Sequence, residues 1–198
     1  MKTVAAADDD AHSHPICGAT HTEVGDHSGE CEPVTWTAWD GITDITYTDN
    51  TAYLYLTGNA ERENTLNVYE GKTLYLCLNG HSIIKTTESN SSFYAVVRVY
   101  DNAKFVLCDC KGGGKITHPS GVLGKGVRVG AGGQIDGIFI MYSGEISGNY
   151  VGSTDRGEDG AGVEIQGGKF FMYGGKITNN RVNKQSNYGG GGVCAQSS

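Results

Sequence analysis

The chain has no apolar run approaching the roughly eighteen residues that a membrane-spanning helix needs. It has no basic excess either: 15 Lys and Arg stand against 22 Asp and Glu, a net charge of −7, whereas a nucleic-acid-binding surface needs a basic stripe. A helical pattern is missing too. The 31 glycines would destabilise helix interiors, and no stretch of about ten residues in the repeats carries an apolar period of 3.6. At the start, Met1-Lys2-Thr3-Val4 and Ala5-Ala6-Ala7 are too short an apolar stretch for a secretory signal and lead into Asp8-Asp9-Asp10, so residues 1–11 read as a disordered or appended start.

What the chain does have is a repeat of about thirty residues. The clearest pair is Val127 to Asn149 against Gly160 to Asn180. Three short apolar anchors recur and allow the register to be counted. The first falls at Val68, Val99, Val129, Ile165 and Ala195, with spacings of 31, 30, 36 and 30. The middle one is Leu74-Tyr75-Leu76, Phe105-Val106-Leu107, Phe139-Ile140-Met141 and Phe170-Phe171-Met172. The third falls at Ile83, Ile116, Ile146 and Ile177, with spacings of 33, 30 and 31.

Each anchor is short, alternates in character and is bounded by Gly, Asn, Asp or Ser, which reads as a strand between turns. A unit of three short strands cannot bury its own apolar face and must stack on its neighbours. The expected fold class is therefore all-β, a right-handed parallel β-helix (solenoid) of about four to five coils with an N-terminal cap. The right hand follows from the general preference of parallel crossover connections. A leucine-rich repeat lacks support because its regular Leu and Asn spacing is absent, and a propeller blade needs about 40 residues.

The organisation read from this pattern is a His/Cys-rich leader at 12–33, cap strands at 34–62 containing Trp36, Trp39 and Tyr53-Leu54-Tyr55-Leu56, and β-helix repeats at 63–198. The last repeat opens at Gly189-Gly190-Gly191-Gly192 and is cut short, so further β-helix coils of the same chain are expected beyond it. The 36-residue step reflects extra residues near Gln134 to Ile138, read as a protruding turn. The connections after the third strand, 150–160 and 181–190, are long and polar, and solenoids commonly carry their variable surface on such a face.

Two groups of residues have the composition of a site. His14-x2-Cys17 and His27-x3-Cys31 have the spacing of a four-ligand zinc site, with His12 or His21 able to replace one ligand. Four protein ligands would close the coordination sphere and make the zinc structural. A Cys17–Cys31 disulfide, or histidines in solvent beside thiols, are the competing readings. Asp155-Arg156-Gly157-Glu158-Asp159 offers Asp155, Arg156, Glu158 and Asp159 as ligand-binding candidates for calcium or a uronic acid, against the plainer reading of a solvated turn. Cys77, Cys108 and Cys110 end middle strands of consecutive coils and read as small buried residues. Asn149 with Asn180, and Tyr142 with Tyr173, recur at equivalent positions and read as stacked ladders.

The segments HSHPICG, WTAWDG, LYLCLNGHSI, MYSGEISGN and MYGGKITNN, with GAGVEI and GGGGV before repeats, resemble large secreted or surface-anchored proteins of gut-dwelling Gram-positive bacteria. Those proteins are similar in being arrays of right-handed parallel β-helix repeats behind a His/Cys-containing leader. The resemblance spans roughly residues 12–196 and carries no catalytic residues. It implies an extracellular, secreted or cell-surface-attached, adhesin-like module that presents a rigid face to a host or dietary glycan or glycoprotein, with an immunoglobulin among the candidate partners. No nucleic acid and no membrane insertion are expected. A fragment of a β-helix polysaccharide lyase or glycosidase, and a purely structural spacer, are the alternatives, because fold alone does not decide function.

Overall fold

The computed structural model describes residues 12–17, 31–87, 95–130, 136–152, 159–183 and 189–196. The described residues are all-β, without a helix, and most of their strands fall into three parallel sheets. The first sheet stacks Leu66–Val68, Ala95–Val99, Lys125–Val129, Val163–Gln166 and Val193–Gln196. The middle sheet stacks Thr37–Trp39, Thr51–Leu56, Thr73–Cys77, Lys104–Cys108, Ile138–Met141 and Lys169–Met172. The third stacks Ala60–Arg62, Ile83–Lys85, Lys115–Thr117, Glu145–Ser147 and Lys176–Thr178. Each repeat contributes one strand to each sheet.

The counted register holds residue for residue. Val68, Val99, Val129, Ile165 and Ala195 lie side by side across the first sheet. Leu74, Phe105, Phe139 and Phe170 do so across the middle sheet, and Ile83, Ile116, Ile146 and Ile177 across the third. Strand alternation turns every second residue of all three sheets into one shared apolar interior. Within it the rings of Phe105, Phe139 and Phe170 stack with centroids 5.2 and 4.9 Å apart. Burying a side chain of this size contributes about 1.5–3 kcal/mol, and the ladder repeats that gain in every layer.

Two glycine positions recur for steric reasons. Gly113, Gly144 and Gly175 each take a φ between 86 and 89° in the turn from middle to third strand, a conformation that costs other residues a Cβ clash. Gly126 and Gly162 precede the first-strand anchor beside an amide ladder. A Cβ on Gly126 would sit 2.9 Å from Asn149 Nδ2, and one on Gly162 2.9 Å from Asn180 Nδ2. In that ladder His118 donates from Nδ1 to Asn149 Oδ1 at 2.8 Å, and Asn149 donates from Nδ2 to Asn180 Oδ1 at 2.9 Å. The ladder thus begins with a histidine from the preceding repeat, one residue nearer its third-strand isoleucine than the asparagines are. Tyr142 and Tyr173 stack at 5.1 Å, also as the repeat implies.

The segment 34–62, expected as a cap, does more than close an end: Thr51–Leu56 and Ala60–Arg62 are the neighbours of the following repeat's strands in the middle and third sheets. The connections after the third strand are partly ordered by stacking as well. Tyr150–Val151 pairs with Arg181–Val182, and Asp159–Gly160 with Gly189–Gly190, both parallel. Of the protruding turn read at Gln134 to Ile138, Gln134 and Ile135 lie outside the described residues, and Ile138 already opens a middle-sheet strand. No described helix is long and apolar enough to cross a membrane.

The leader lies on the outside of the middle sheet. Ser13–Pro15 pairs antiparallel with Pro33–Thr35, and Ile16, Cys17 and Trp36 pack on Cys77, Val106, Cys108 and Tyr142 as a second, smaller apolar cluster. Two three-residue strands have too little interface to be stable alone. What they dock against therefore decides whether the leader is ordered.

Candidate metal centre

The middle strands expose alternate residues to this outer cluster, and the repeat places two cysteines there. Cys77 and Cys108 are register partners on adjacent parallel strands. Cys110 follows two residues later in a turn pinned by Asp109, whose Oδ1 accepts from Gly80 N at 2.7 Å and Oδ2 from Gly114 N at 2.8 Å. The thiol of Cys110 points at Asn79 Oδ1, 3.6 Å away, and lies 3.7 Å from His12 Nε2.

The two leader histidines reach the same spot because their backbone is tied to Trp36. Trp36 N donates to His12 O at 2.9 Å and its indole Nε1 to His14 O at 3.0 Å. The imidazole of His12 stacks on Tyr55 at 4.1 Å and that of His14 on Trp36 at 4.7 Å, so both rings are held in orientation. The ligand atoms of His12, His14, Cys77 and Cys110 all lie within 4.8 Å of one another.

His14 shows the feature most specific to a metal ligand. Its Nδ1 lies 2.6 Å from Pro15 O, so the proton sits on Nδ1 and the Nε2 lone pair is presented to the cluster. That Nε2 is buried, has no nitrogen or oxygen hydrogen-bond partner among the described residues, and faces the Cys77 thiol. A backbone carbonyl holding the distal nitrogen is the usual way a ligating imidazole is oriented.

Negative charge in the cluster is concentrated on one sulfur. The hydrogen bond from Cys108 pulls the Cys77 thiol down to about 3; burial opposes the shift, and the bond to His14 adds to it. Burial, with the neighbouring Cys77 charge behind it, pushes Cys110 up to about 12 and Cys108 well above its ordinary value. Burial works against a charge on His14, but its bonds to Cys77 and to the Pro15 carbonyl outweigh this and raise it. A cluster that stabilises one thiolate beside further thiols and an imidazole nitrogen suits a divalent ion, which would replace the remaining thiol protons.

Two thiolates and two imidazoles suit Zn²⁺ in a closed tetrahedron. Ligand atoms around zinc would stand roughly 3.3–3.8 Å apart, given bonds of about 2.0–2.3 Å. Side-chain adjustments of about 1 Å reach that geometry from a 4.8 Å group.

The sequence-derived ligands are therefore distributed differently from their spacing. His14 joins His12, Cys77 and Cys110, while Cys17 lies against Cys31 with the sulfurs 3.1 Å apart. His27 lies outside the described residues, as do Asp155, Arg156 and Glu158, and of Asp159 only the strand pairing with Gly189 is described. Cys77 and Cys110 were legible as neighbours in the repeat, but nothing local connected them to a leader more than sixty residues away.

A second charged group also escapes the sequence pattern. On the outer side of the first sheet, Arg98, Arg128 and Glu164 are register neighbours. Glu164 is wholly buried, with Lys125 Nζ at 2.7 Å and Arg128 Nε at 3.3 Å. Burial and mutual pairing make this an internal brace, without a solvent-facing reactive atom.

No known protein family, no curated protein and no solved structure matches this chain.

Proposed function

We propose that this chain is a non-catalytic, extracellular module of an adhesin-like bacterial surface protein, a right-handed parallel β-helix that presents a rigid lateral face to a host or dietary glycan or glycoprotein. The observation that carries the reading is the residue-for-residue register of three parallel sheets through successive repeats, a construction that yields stiffness and a long lateral surface. The right hand rests on the crossover preference of parallel strands. Zinc at His12, His14, Cys77 and Cys110 fastens the leader to the side of the rod, supported by the donor set and by the presented His14 nitrogen. Calcium would belong to the Asp155 to Asp159 segment and draws no support from the described residues.

An enzyme of the lyase or glycosidase class needs two or more carboxylates converging on one groove. The acid most enclosed among the described residues, Glu164, is instead braced by Lys125 and Arg128. Retention of the protein on mucins, immunoglobulins, other host glycoproteins and plant polysaccharides, with released sugars assayed in the same wells, tests the proposal. Retention without release is the expected result. Release would establish an enzyme, and absence of both would leave a structural spacer.

A further inference from the structure

The loop from Asp40 to Asn50 is built as a firm arch. Asp40 Oδ1 accepts from Ile42 N, Thr43 N and Thr43 Oγ1 at 2.8, 2.8 and 2.9 Å, and Trp39 Nε1 donates to Thr43 O at 3.0 Å. Thr48 and Thr51 exchange backbone hydrogen bonds across Asp49 and Asn50, whose φ values of 47 and 65° make the tight hairpin turn that suits Asp and Asn. Between this arch and the strand region around Leu66 lies a cleft of about 290 Å³. Trp39, Asp44, Tyr47, Arg62, Asn67 and Tyr69 supply its chemistry.

Its surfaces are of two kinds. Tyr69 is 57% exposed, and its ring is backed by Tyr100 at 5.3 Å, which is itself held under Arg98 at 4.3 Å. That gives a fixed aromatic plate with its own hydroxyl accepting from Asn67 Nδ2 at 3.3 Å. The polar groups are Asp44, the Arg62 guanidinium lying over the Trp39 ring, and the Tyr47 hydroxyl, which is enclosed and has no hydrogen-bond partner among the described residues.

We propose that this cleft binds a single neutral pyranose, as the end of a glycan chain, with one sugar face on Tyr69 and its hydroxyls shared by Asp44, Arg62 and Tyr47. A purely apolar ligand would leave the buried Tyr47 hydroxyl unpaired, which is costly. An anion would meet Asp40 and Asp44 against one guanidinium, and a cation would meet Arg62. A polyol with one C–H-rich face satisfies both surfaces, since the electron-rich ring face attracts polarised C–H bonds and each sugar hydroxyl both donates and accepts. The volume is at the low end for ligand pockets, which fits one sugar ring better than an extended chain. The inference deepens the display reading and rests on it for its biological ligand.

Saturation-transfer NMR and tryptophan-fluorescence titration of the whole chain with the methyl glycosides of galactose, N-acetylglucosamine and glucuronic acid test it, with Tyr69→Ala, Asp44→Asn and the off-site control Tyr173→Ala. The expected result is binding of a neutral glycoside in preference to the glucuronide. Affinity should fall roughly tenfold or more in Tyr69→Ala and hold in Tyr173→Ala, at unchanged circular dichroism. Failure of both neutral glycosides to bind, equal or tighter binding of the glucuronide, or indifference to Tyr69→Ala would overturn the site. If Tyr69→Ala is still retained on mucin while the glycosides do not bind, the cleft assignment fails and the display reading survives. If glycosides bind through Tyr69 but the protein is not retained on any glycan surface, the cleft stands and the display reading fails.

Discussion

The stacked repeats and the leader are ordered by different physics. In the repeats, each layer supplies the same kinds of side chain at the same places, so Val99 finds Val68 on one side and Val129 on the other, and stability accumulates layer by layer. The leader has a three-residue ladder and a handful of apolar contacts, and it gathers two histidines against two cysteines that the repeats hold in position. A repetitive element can be stable by accumulation, whereas a short appended one needs a few strong, specific bonds. The His/Cys cluster lies where the second kind of order meets the first.

The largest expected effect separates centre from end within the repeats. Phe139 is fully buried between two rings, whereas Phe170 is only partly buried. Phe139→Ala should cost about 3–5 kcal/mol in urea unfolding, and Phe170→Ala clearly less. Equal losses would mean that stability does not accumulate from layer to layer.

Slightly smaller effects are expected at the buried ion group. Glu164→Ala leaves Lys125 and Arg128 without their shared carboxylate and should cost about 3 kcal/mol or more, read from the same unfolding curves. The Glu164→Ala chain should take up zinc as the parent chain does, because the brace lies on a different sheet from the cysteines.

The pH dependence of the repeats follows from His118. Burial lowers its pKa from 6.5 to about 4, against the opposing bond to Asn149. Between those values the unfolded chain takes up a proton that the folded chain refuses. Stability is full above pH 6.5 and falls as pH drops towards about 4, by about 3 kcal/mol. His118→Asn, which offers the ladder the amide its neighbours use, should flatten that slope. An unchanged slope would move the acid sensitivity elsewhere.

The smallest effect is expected on the outer stripe. Tyr173 is 38% exposed and stacks on Tyr142, so Tyr173→Ala should cost about 1 kcal/mol or less.

The repeats were legible in the sequence because in-register stacking requires equal anchor spacing, and equal spacing can be counted. The positions of Val68, Val99, Val129 and Ile165 therefore carried the sheet pairing directly. The leader was legible only in its chemistry. His14 belongs to a metal-type cluster, but the cysteines beside it come from the repeats: His12 and Cys110 are 98 residues apart, and no local pattern records so distant a meeting. Glu164 was hidden for a related reason, since an outward strand position normally faces water, and only the folded chain shows it enclosed with Lys125 and Arg128. The strands read at 34–62 also join the sheets, and Leu54 and Leu56 alternate there as the repeat strands do.

Hydrogen–deuterium exchange of the zinc-loaded chain before and after chelation tests the two-part account most directly. Removing the metal should raise exchange in Ser13–Pro15 and Pro33–Thr35 by roughly tenfold or more, leave Ala95–Val99 and Lys125–Val129 unchanged, and be reproduced by Cys77→Ser. Unchanged protection of the leader, or an equal loss in leader and repeats, would contradict it.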